Sequence, residues 1–496
     1  MASKIRQIIL NSLRINKDKI VFDDGEKFYT YSELDYYSEI ICKYLYEVNN
    51  PSNSVVSIGT NDFFSLCVLV ACIKSLHIYC PIDENNTENR IQNIVNVINP
   101  KIIFAHRVTD LKLEDYVVIN YDDVFNKIIL AQPYSNLFTD RQENYVYTIF
   151  TSGTTGTPKG VLISYENLNC FSEWFLSKEF GLEENDRILL QSTFAFDLSV
   201  MSWLPVLSMG KTLVVLSPKI AANYKKIQKW LQKVKFDLFI STPSFLKLID
   251  LCTNFSLDNF SYLNKIILCG EELQKAMAKR ILDTLPNVKL YNTYGPTECT
   301  VAVSGIEVTY DLLSYDSIPI GTIREGVEFI VDISNEELSI AGNMVSDGYI
   351  NNFMATSSNF KKHNNYNLYK TGDKIYIDKK GYIFFKGRID DQIKWNGYRI
   401  ELREVESTIR KIDIVSDAAV IVTRNRDEEV NGMIAYLTLK NHTIEFNDYE
   451  VVYNMIKKLL PKYMLPKRIE IIDEMPLNNN KKIDRRALLA EKEFNN

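Results

Sequence analysis

A chain of 496 residues, 46% of them hydrophobic and 24% charged, is too long for one ordinary core and too apolar for disorder, so two or more globular domains are expected. A formal net charge of −6 gives no whole-chain case for nucleic-acid binding, and the longest apolar run, 63 to 73, falls short of the ~20 residues that span a bilayer. The eight cysteines contain no C-x-x-C pair and the four histidines are dispersed, which argues against a disulfide framework or zinc cage, and the start MASKIRQIIL lacks a signal-peptide pattern; no membrane insertion and a cytoplasmic location are expected.

In chain order, Ser32 and Asp35 read as a capping box ahead of ELDYYSEIICKYLYEV (33–48), whose apolar spacing is helical. SVVSIGT (54–60) reads as strand, 62–76 and 87–98 as helices, the second ending before Pro100, and KIIFAH (101–106) as strand. VYTIF (146–150) is a further strand, and GVLISYENL (160–168) opens a helix. Strands near 187–191, 212–216, 237–241, 265–269 and 288–291 then alternate with helical stretches. This order predicts an α/β fold: a large N-terminal domain of mainly parallel sheets covered by helices, followed by a small α+β C-terminal domain. The boundary falls near GRIDD (387–391), giving domains of 1–389 and 390–496.

Between the strand at 146–150 and the segment after it lies TSGTTGTPKG (151–160). Its glycines let backbone approach an anion, its threonines offer hydroxyl donors, and Lys159 adds positive charge. It is not a Walker A loop, because Pro158 stands where the second glycine of that pattern is required. Three other segments leave predicted strands at the carboxyl edge, where ligands bind in such sheets: STPSF (241–245), CGEEL (269–273) and NTYGPTE (292–298).

These segments, together with TYSEL (30–34), IKSLHIYCPID (73–83), FAFDLS (194–199), YKTGD (369–373), GRIDDQIKWNGYRIELREVE (387–406), LPKYMLP (460–466) and NNNKKIDRR (478–486), stand in the order of the adenylate-forming superfamily. The chain resembles that family over nearly its whole length. The resemblance implies ATP and Mg2+ as cofactors, with Thr151, Ser152, Gly153, Thr154, Thr155 and Lys159 cradling the phosphates and Glu298 holding the metal. It implies that Asn292, Thr293, Tyr294 and Thr297 contact the nucleotide, Asn292 and Tyr294 at the adenine, and that Asp373 and Arg388 bind the ribose hydroxyls. Lys482 matches the lysine that bridges substrate carboxylate and α-phosphate, and Arg399 joins it and Glu298 as a catalytic residue. Asp390 matches the pivot of a mobile C-terminal lid, and Lys394 and Gly397 match its thioester tunnel.

Asp197 matches the aspartate that takes an α-ammonium group in amino-acid-activating members, and a shielded ion pair there selects amino acids over plain acids. With Leu198, Met201, Ser241, Cys269 and Val301 it gives a pocket that resembles those of members activating D-alanine for transfer to a separate carrier protein bearing phosphopantetheine. Another small amino acid (L-alanine, glycine, serine or a β-amino acid), an acyl-CoA ligase and a catalytically silent binding protein are the alternatives. The chain departs from the pattern at Glu336 and Lys481, where glycine is usual, at Asp347, where arginine is common, at Trp395–Asn396, and in lacking a longer hairpin before EELSIAG.

Overall fold

The computed structural model describes residues 3–47, 53–106, 116–121, 144–153, 157–183, 186–253, 260–425, 429–440, 448–477, 483–485 and 487–489. Thr154, Thr155, Lys481 and Lys482 lie outside them. The chain forms two compact units, one of Met1–Glu84, Val95–Phe150 and Gly160–Ile389, the other of Asn85–Ile94, Thr151–Lys159 and Asp390–Asn496.

The first unit is built on a nine-stranded sheet whose centre, Lys289–Tyr294, Lys265–Leu268, Leu238–Ser241, Arg187–Leu190, Thr212–Val215 and Ile20–Asp23, is parallel throughout. Its strands are apolar on both faces. Ile188, Leu213, Leu238 and Ile267 join one core, while Leu189, Val214, Phe239 and Ile266 join another on the opposite face. A sheet covered on both sides reads as continuous apolar runs, which is why these strands stand out in the sequence. A six-stranded sheet runs Val117–Asn120, Ile102–Ala105, Ser54–Gly59, Ile78–Asp83, Tyr145–Thr151 and Lys159–Ser164. The helix Phe63–Ser75 is apolar all round and buried, capped by Asp62, whose carboxylate accepts from the Ser65 amide at 2.8 Å.

Three local expectations are corrected. The capping box of the helix Tyr31–Glu47 is formed by Thr30 and Glu33, not by Ser32 and Asp35: the Thr30 amide donates to Glu33 at 2.7 Å and the Glu33 amide to the Thr30 hydroxyl at 3.2 Å. Tyr31 fixes that start, since its buried hydroxyl donates to the carbonyls of Val206 and Lys211 at 2.5 and 2.7 Å. Asp35 instead pairs with Lys74 at 2.6 Å. The segment GVLIS continues a strand, Lys159–Ser164, because its branched apolar residues suit a sheet. The helix begins only at Tyr165, behind a capping box of Ser164 and Asn167. The strand at 289 runs on to Tyr294, so Asn292, Thr293 and Tyr294 lie within it.

Beyond the parallel expectation, residues 327–388 form a five-stranded sheet whose described pairings are all antiparallel. Its first hairpin, Val327–Val331 with Glu337–Gly342, is closed by a short connection in which Glu336 adopts φ 62°. In the second unit, Gln392–Trp395 pairs with Tyr398–Glu401, and Val415–Arg424, Val430–Leu439 and Arg468–Ile471 form a three-stranded sheet. Its alternate faces bury Val420, Met433 and Ala435 on one side and Ala419, Ile421 and Ile434 on the other.

Candidate active site

In the first unit the carboxyl ends of neighbouring strands deliver Ser241, Cys269 and Asn292 to one edge, the strands being in register through Ile240 and Ile267, and Leu268 and Asn292. The Cys269 amide donates to the Ser241 carbonyl at 3.2 Å, and the Thr293 hydroxyl to the Leu268 carbonyl at 2.9 Å. The sheet therefore fixes the Cys269 backbone and the Thr293 side chain. Asn292 is buried and its amide donates to Pro319 at 2.9 Å. Asp197 immediately precedes the helix Leu198–Met209, on whose first turns Leu198 and Met201 are buried.

A short 3₁₀ turn, Thr297–Cys299, follows the strand Lys289–Tyr294 and carries Glu298, which is 1% exposed. One Glu298 carboxylate oxygen accepts from the Tyr349 hydroxyl at 2.8 Å, and its backbone carbonyl accepts from the Ser346 amide at 2.9 Å. Thr300 and Val301 then adopt φ 55° and 70° in succession. A β-branched residue in the left-handed region is strained, and strain of this kind is retained where the surroundings over-determine the backbone. Val301 is 2% exposed, so a wall of the expected pocket is held rigidly in a conformation valine does not prefer.

Asp373 and Arg388 face each other across the pairing of Tyr366–Ile377 with Ile383–Arg388. One Asp373 oxygen accepts from the Tyr294 hydroxyl at 2.6 Å and the other pairs with the Arg388 guanidinium. Burial, then the Asp373 charge, pushes the Tyr294 phenol well above its ordinary pKa, so it stays protonated and donates to Asp373. Three of the four residues expected at the base and ribose, Tyr294, Asp373 and Arg388, thus form one buried cluster. Asp347, the residue that replaces an arginine, accepts from Tyr145 at 3.1 Å and Asn367 at 2.9 Å.

In the second unit Gly153 folds back so tightly that a Cβ on it would lie 2.0 Å from the Thr157 carbonyl oxygen. The Gly153 amide donates to a Glu404 carboxylate oxygen at 3.1 Å, and the Ser152 hydroxyl to the Arg399 carbonyl at 2.8 Å. The other Glu404 oxygen pairs with Arg90 at 2.6 Å, with both side chains under a tenth exposed. An amide of this loop therefore already points at an anionic oxygen. Arg399 stands opposite Lys394, and its Nε donates to Gln392 at 2.7 Å. Asn396 and Gly397, at φ 51° and 82°, close that two-stranded hairpin as an Asn-Gly turn, which accounts for Asn396 in the Trp395–Asn396 departure. Asp390 accepts from the Gln392 amide at 3.2 Å.

Sequence reasoning missed Tyr349, Arg90 and Glu404. Tyr349 stands two residues from Asp347, but no local pattern marks it as the donor to Glu298.

Among the described residues no group of three or more His, Cys, Asp or Glu side chains is arranged to hold a metal ion. No helix there is long and apolar enough to cross a membrane.

The AMP-binding enzyme family matches residues 11–350, and the AMP-binding enzyme C-terminal domain matches residues 404–482. The chain is 36% identical over 483 residues to the D-alanine–D-alanyl carrier protein ligase of Listeria innocua serovar 6a, covering 93% of this chain and 94% of that one. It is 33% identical over 500 residues to the ligase of the same name from Lactococcus lactis subsp. lactis, covering 99% of each. In fold it is similar to the Vibrio cholerae adenylation domain AlmE solved with glycyl-adenosine-5′-phosphate, with TM-score 0.81, 23% identity, and 99% and 98% of the two chains covered. It is likewise similar to a solved NRPS protein containing adenylation and PCP domains, with TM-score 0.82, 23% identity, and 98% and 84% covered.

Proposed function

Because the chain belongs to the AMP-binding enzyme family, we propose that it activates D-alanine with ATP as D-alanyl-AMP and transfers the alanyl group to the phosphopantetheine thiol of a separate carrier protein. The observation that carries this reading is Asp197 at the head of the helix that buries Leu198 and Met201. With Cys269 and the strained Val301, those residues suit an ammonium group and a side chain no larger than methyl.

In the first half-reaction a carboxylate oxygen of the amino acid attacks the α-phosphorus. The acyl–O–P bond forms, the bond to the β-phosphate oxygen breaks, and pyrophosphate leaves with the electron pair. Thr151, Ser152, Gly153, Thr154, Thr155 and Lys159 hold the phosphates, Thr297 is a further nucleotide contact, and Lys482 and Arg399 offset the charge that builds on the equatorial oxygens. The buried carboxylate of Glu298 fits a hard cation such as Mg2+, which would offset phosphate charge there, and among the described residues no group of three or more His, Cys, Asp or Glu side chains forms a full cage for one. The Asp373–Arg388–Tyr294 cluster takes the ribose and one face of the base, with Asn292 at the adenine edge and Thr293 beneath it.

In the second half-reaction the carrier's thiolate sulfur attacks the acyl carbon, a C–S bond forms, the C–O bond breaks, and AMP leaves. Residues 390–496 rotate about Asp390 between the two steps, replacing Lys482 with a passage lined by Lys394 and Gly397. None of the eight cysteines forms a disulfide.

The test is to incubate the protein with ATP, Mg2+, D-alanine and a phosphopantetheinylated carrier protein and to weigh the carrier. A mass gain of one alanyl group that requires ATP supports the reading. An unmodified carrier, with AMP released only when coenzyme A and a plain fatty acid are supplied, would move the protein to the acyl-CoA ligases.

A further inference from the structure

Tyr349 takes no part in the steps above, yet it is held through its hydroxyl, its ring and its backbone. The residue is 6% exposed, and its hydroxyl donates to a carboxylate oxygen of Glu298 at 2.8 Å. Its ring stands edge-on to Phe360, with centroids 5.3 Å apart at 78°. Its amide donates to the Thr356 hydroxyl at 3.0 Å, and that hydroxyl donates in turn to the Asn352 carbonyl at 2.9 Å. The chain on either side is pinned as well: the Ser346 amide donates to the Glu298 carbonyl at 2.9 Å, the Leu162 amide to the Gly348 carbonyl at 3.1 Å, and the Ile350 amide to the Gly160 carbonyl at 2.8 Å. An antiparallel bridge joins Tyr349 itself to Val161. Segment 346–350 therefore grips the Glu298 turn on one side and the strand Lys159–Ser164 on the other. A glutamate side chain turns about three torsions, so burial on a three-residue turn does not by itself fix where its oxygens face. A donor carried on a clamped ring does.

We propose that Tyr349 is a positioning residue for the divalent cation: its hydroxyl presets the orientation of the Glu298 carboxylate before the metal and nucleotide arrive. The inference rests on the reading of Glu298 as the residue that holds Mg2+. A tyrosine suits the task because its hydroxyl is a neutral donor. It orders the carboxylate without cancelling the negative charge that a hard cation needs, which a lysine or arginine in its place would do. Partners that orient a ligating side chain in this way are typically worth about 10–100-fold in metal affinity.

The test measures binding and not turnover. The Kd of ATP for the full-length protein is determined by equilibrium dialysis, with no amino acid present, once with Mg2+ and once with EDTA in place of the metal. The unmodified protein is compared with Tyr349→Phe, which keeps the ring against Phe360 and deletes only the oxygen. The variant should lose most of the tightening that Mg2+ confers, a change on the order of tenfold, while the Kd of metal-free ATP stays within about twofold. In a Glu298→Gln background the same change should alter neither value. Tightening by Mg2+ equal to that of the unmodified protein, an equal weakening with and without Mg2+, or the full effect persisting beside Glu298→Gln would each overturn the proposal, the second by making Tyr349 a packing residue alone. If Mg2+ does not tighten ATP on the unmodified protein, the reading of Glu298 falls and this inference with it, whereas a Tyr349→Phe variant that matches a metal-responsive unmodified protein removes the inference alone.

Discussion

Replacing Asp373 with asparagine keeps the shape of the buried cluster and deletes its one negative charge. Asp373 is 2% exposed, accepts from Tyr294 at 2.6 Å, and pairs with Arg388, whose side chain is 9% exposed. An asparagine oxygen can serve one of these donors, and its NH2 group must then face the other. Arg388 keeps its charge in a place where water cannot replace the lost carboxylate. Breaking a buried pair from one side costs ~3–5 kcal/mol, a large share of the ~5–15 kcal/mol that typically holds a native protein. Tyr294→Phe removes one donor but leaves the ion pair, and should cost no more than ~1.5–3 kcal/mol. Urea unfolding of the three proteins at neutral pH measures both differences, and KM for ATP reports whether the cluster also meets the ribose. A loss below ~1 kcal/mol in Asp373→Asn, with KM for ATP unchanged, would refute the argument that this pair is desolvated and faces the nucleotide.

Lys482→Ala should lower aminoacyl-AMP formation on the order of 10²-fold or more, as for loss of one transition-state donor, while transfer from preformed adenylate survives; near-normal pyrophosphate exchange would take Lys482 out of the site. Burial foremost, with the Asp390 charge, raises the Glu401 pKa, against the opposing charges of Arg399 and Lys159. The folded state thus binds that proton more tightly than the unfolded chain, so this contribution is present below glutamate's ordinary pKa and is lost as pH rises through the raised value. Glu401→Gln, whose oxygen can still accept from Gln392, should therefore be more stable at neutral pH and show a flatter stability profile across that window; a less stable variant at pH 7 would contradict this. Asp390→Pro fixes φ near −65° and should spare exchange while abolishing carrier loading, because a pantetheine arm of ~20 Å, about the reach of six extended residues, needs the rotated lid. Equal loss of both activities would point to misfolding, and retention of both would remove Asp390 as the pivot.

Elements built from contiguous apolar runs were legible in the sequence, and the parallel strands of the nine-stranded sheet are the best example. Where a run is ambiguous, length alone does not decide: GVLIS pairs as a strand before the helix at Tyr165 begins. Residues 366–377, YNLYKTGDKIYI, form one long strand of an antiparallel sheet, and their place was not foreseen because polar positions interrupt the run. The candidate site was legible as a motif where its residues stand together in sequence, as Asn292, Tyr294 and Glu298 do. It was not legible where a partner comes from far along the chain. Tyr349 reaches Glu298 across 51 positions, and Arg90 reaches Glu404 across 314, distances over which local spacing carries no information. The left-handed Val301 was likewise invisible, since a valine in sequence gives no sign of the backbone region it is forced into.

The most direct test of the account is amino-acid-dependent ATP–pyrophosphate exchange by the purified full-length protein across D-alanine, L-alanine, glycine, serine and β-alanine. The proposed small pocket, with Asp197 taking the ammonium group and Cys269 and Val301 as walls, predicts that D-alanine gives the highest kcat/KM. Size discrimination of only ~1–3 kcal/mol per methylene leaves weaker exchange with the nearest analogues. Exchange with L-alanine as efficient as with D-alanine would contradict the stereochemical claim, and no exchange with any of the five would contradict the claim that this chain activates a small amino acid.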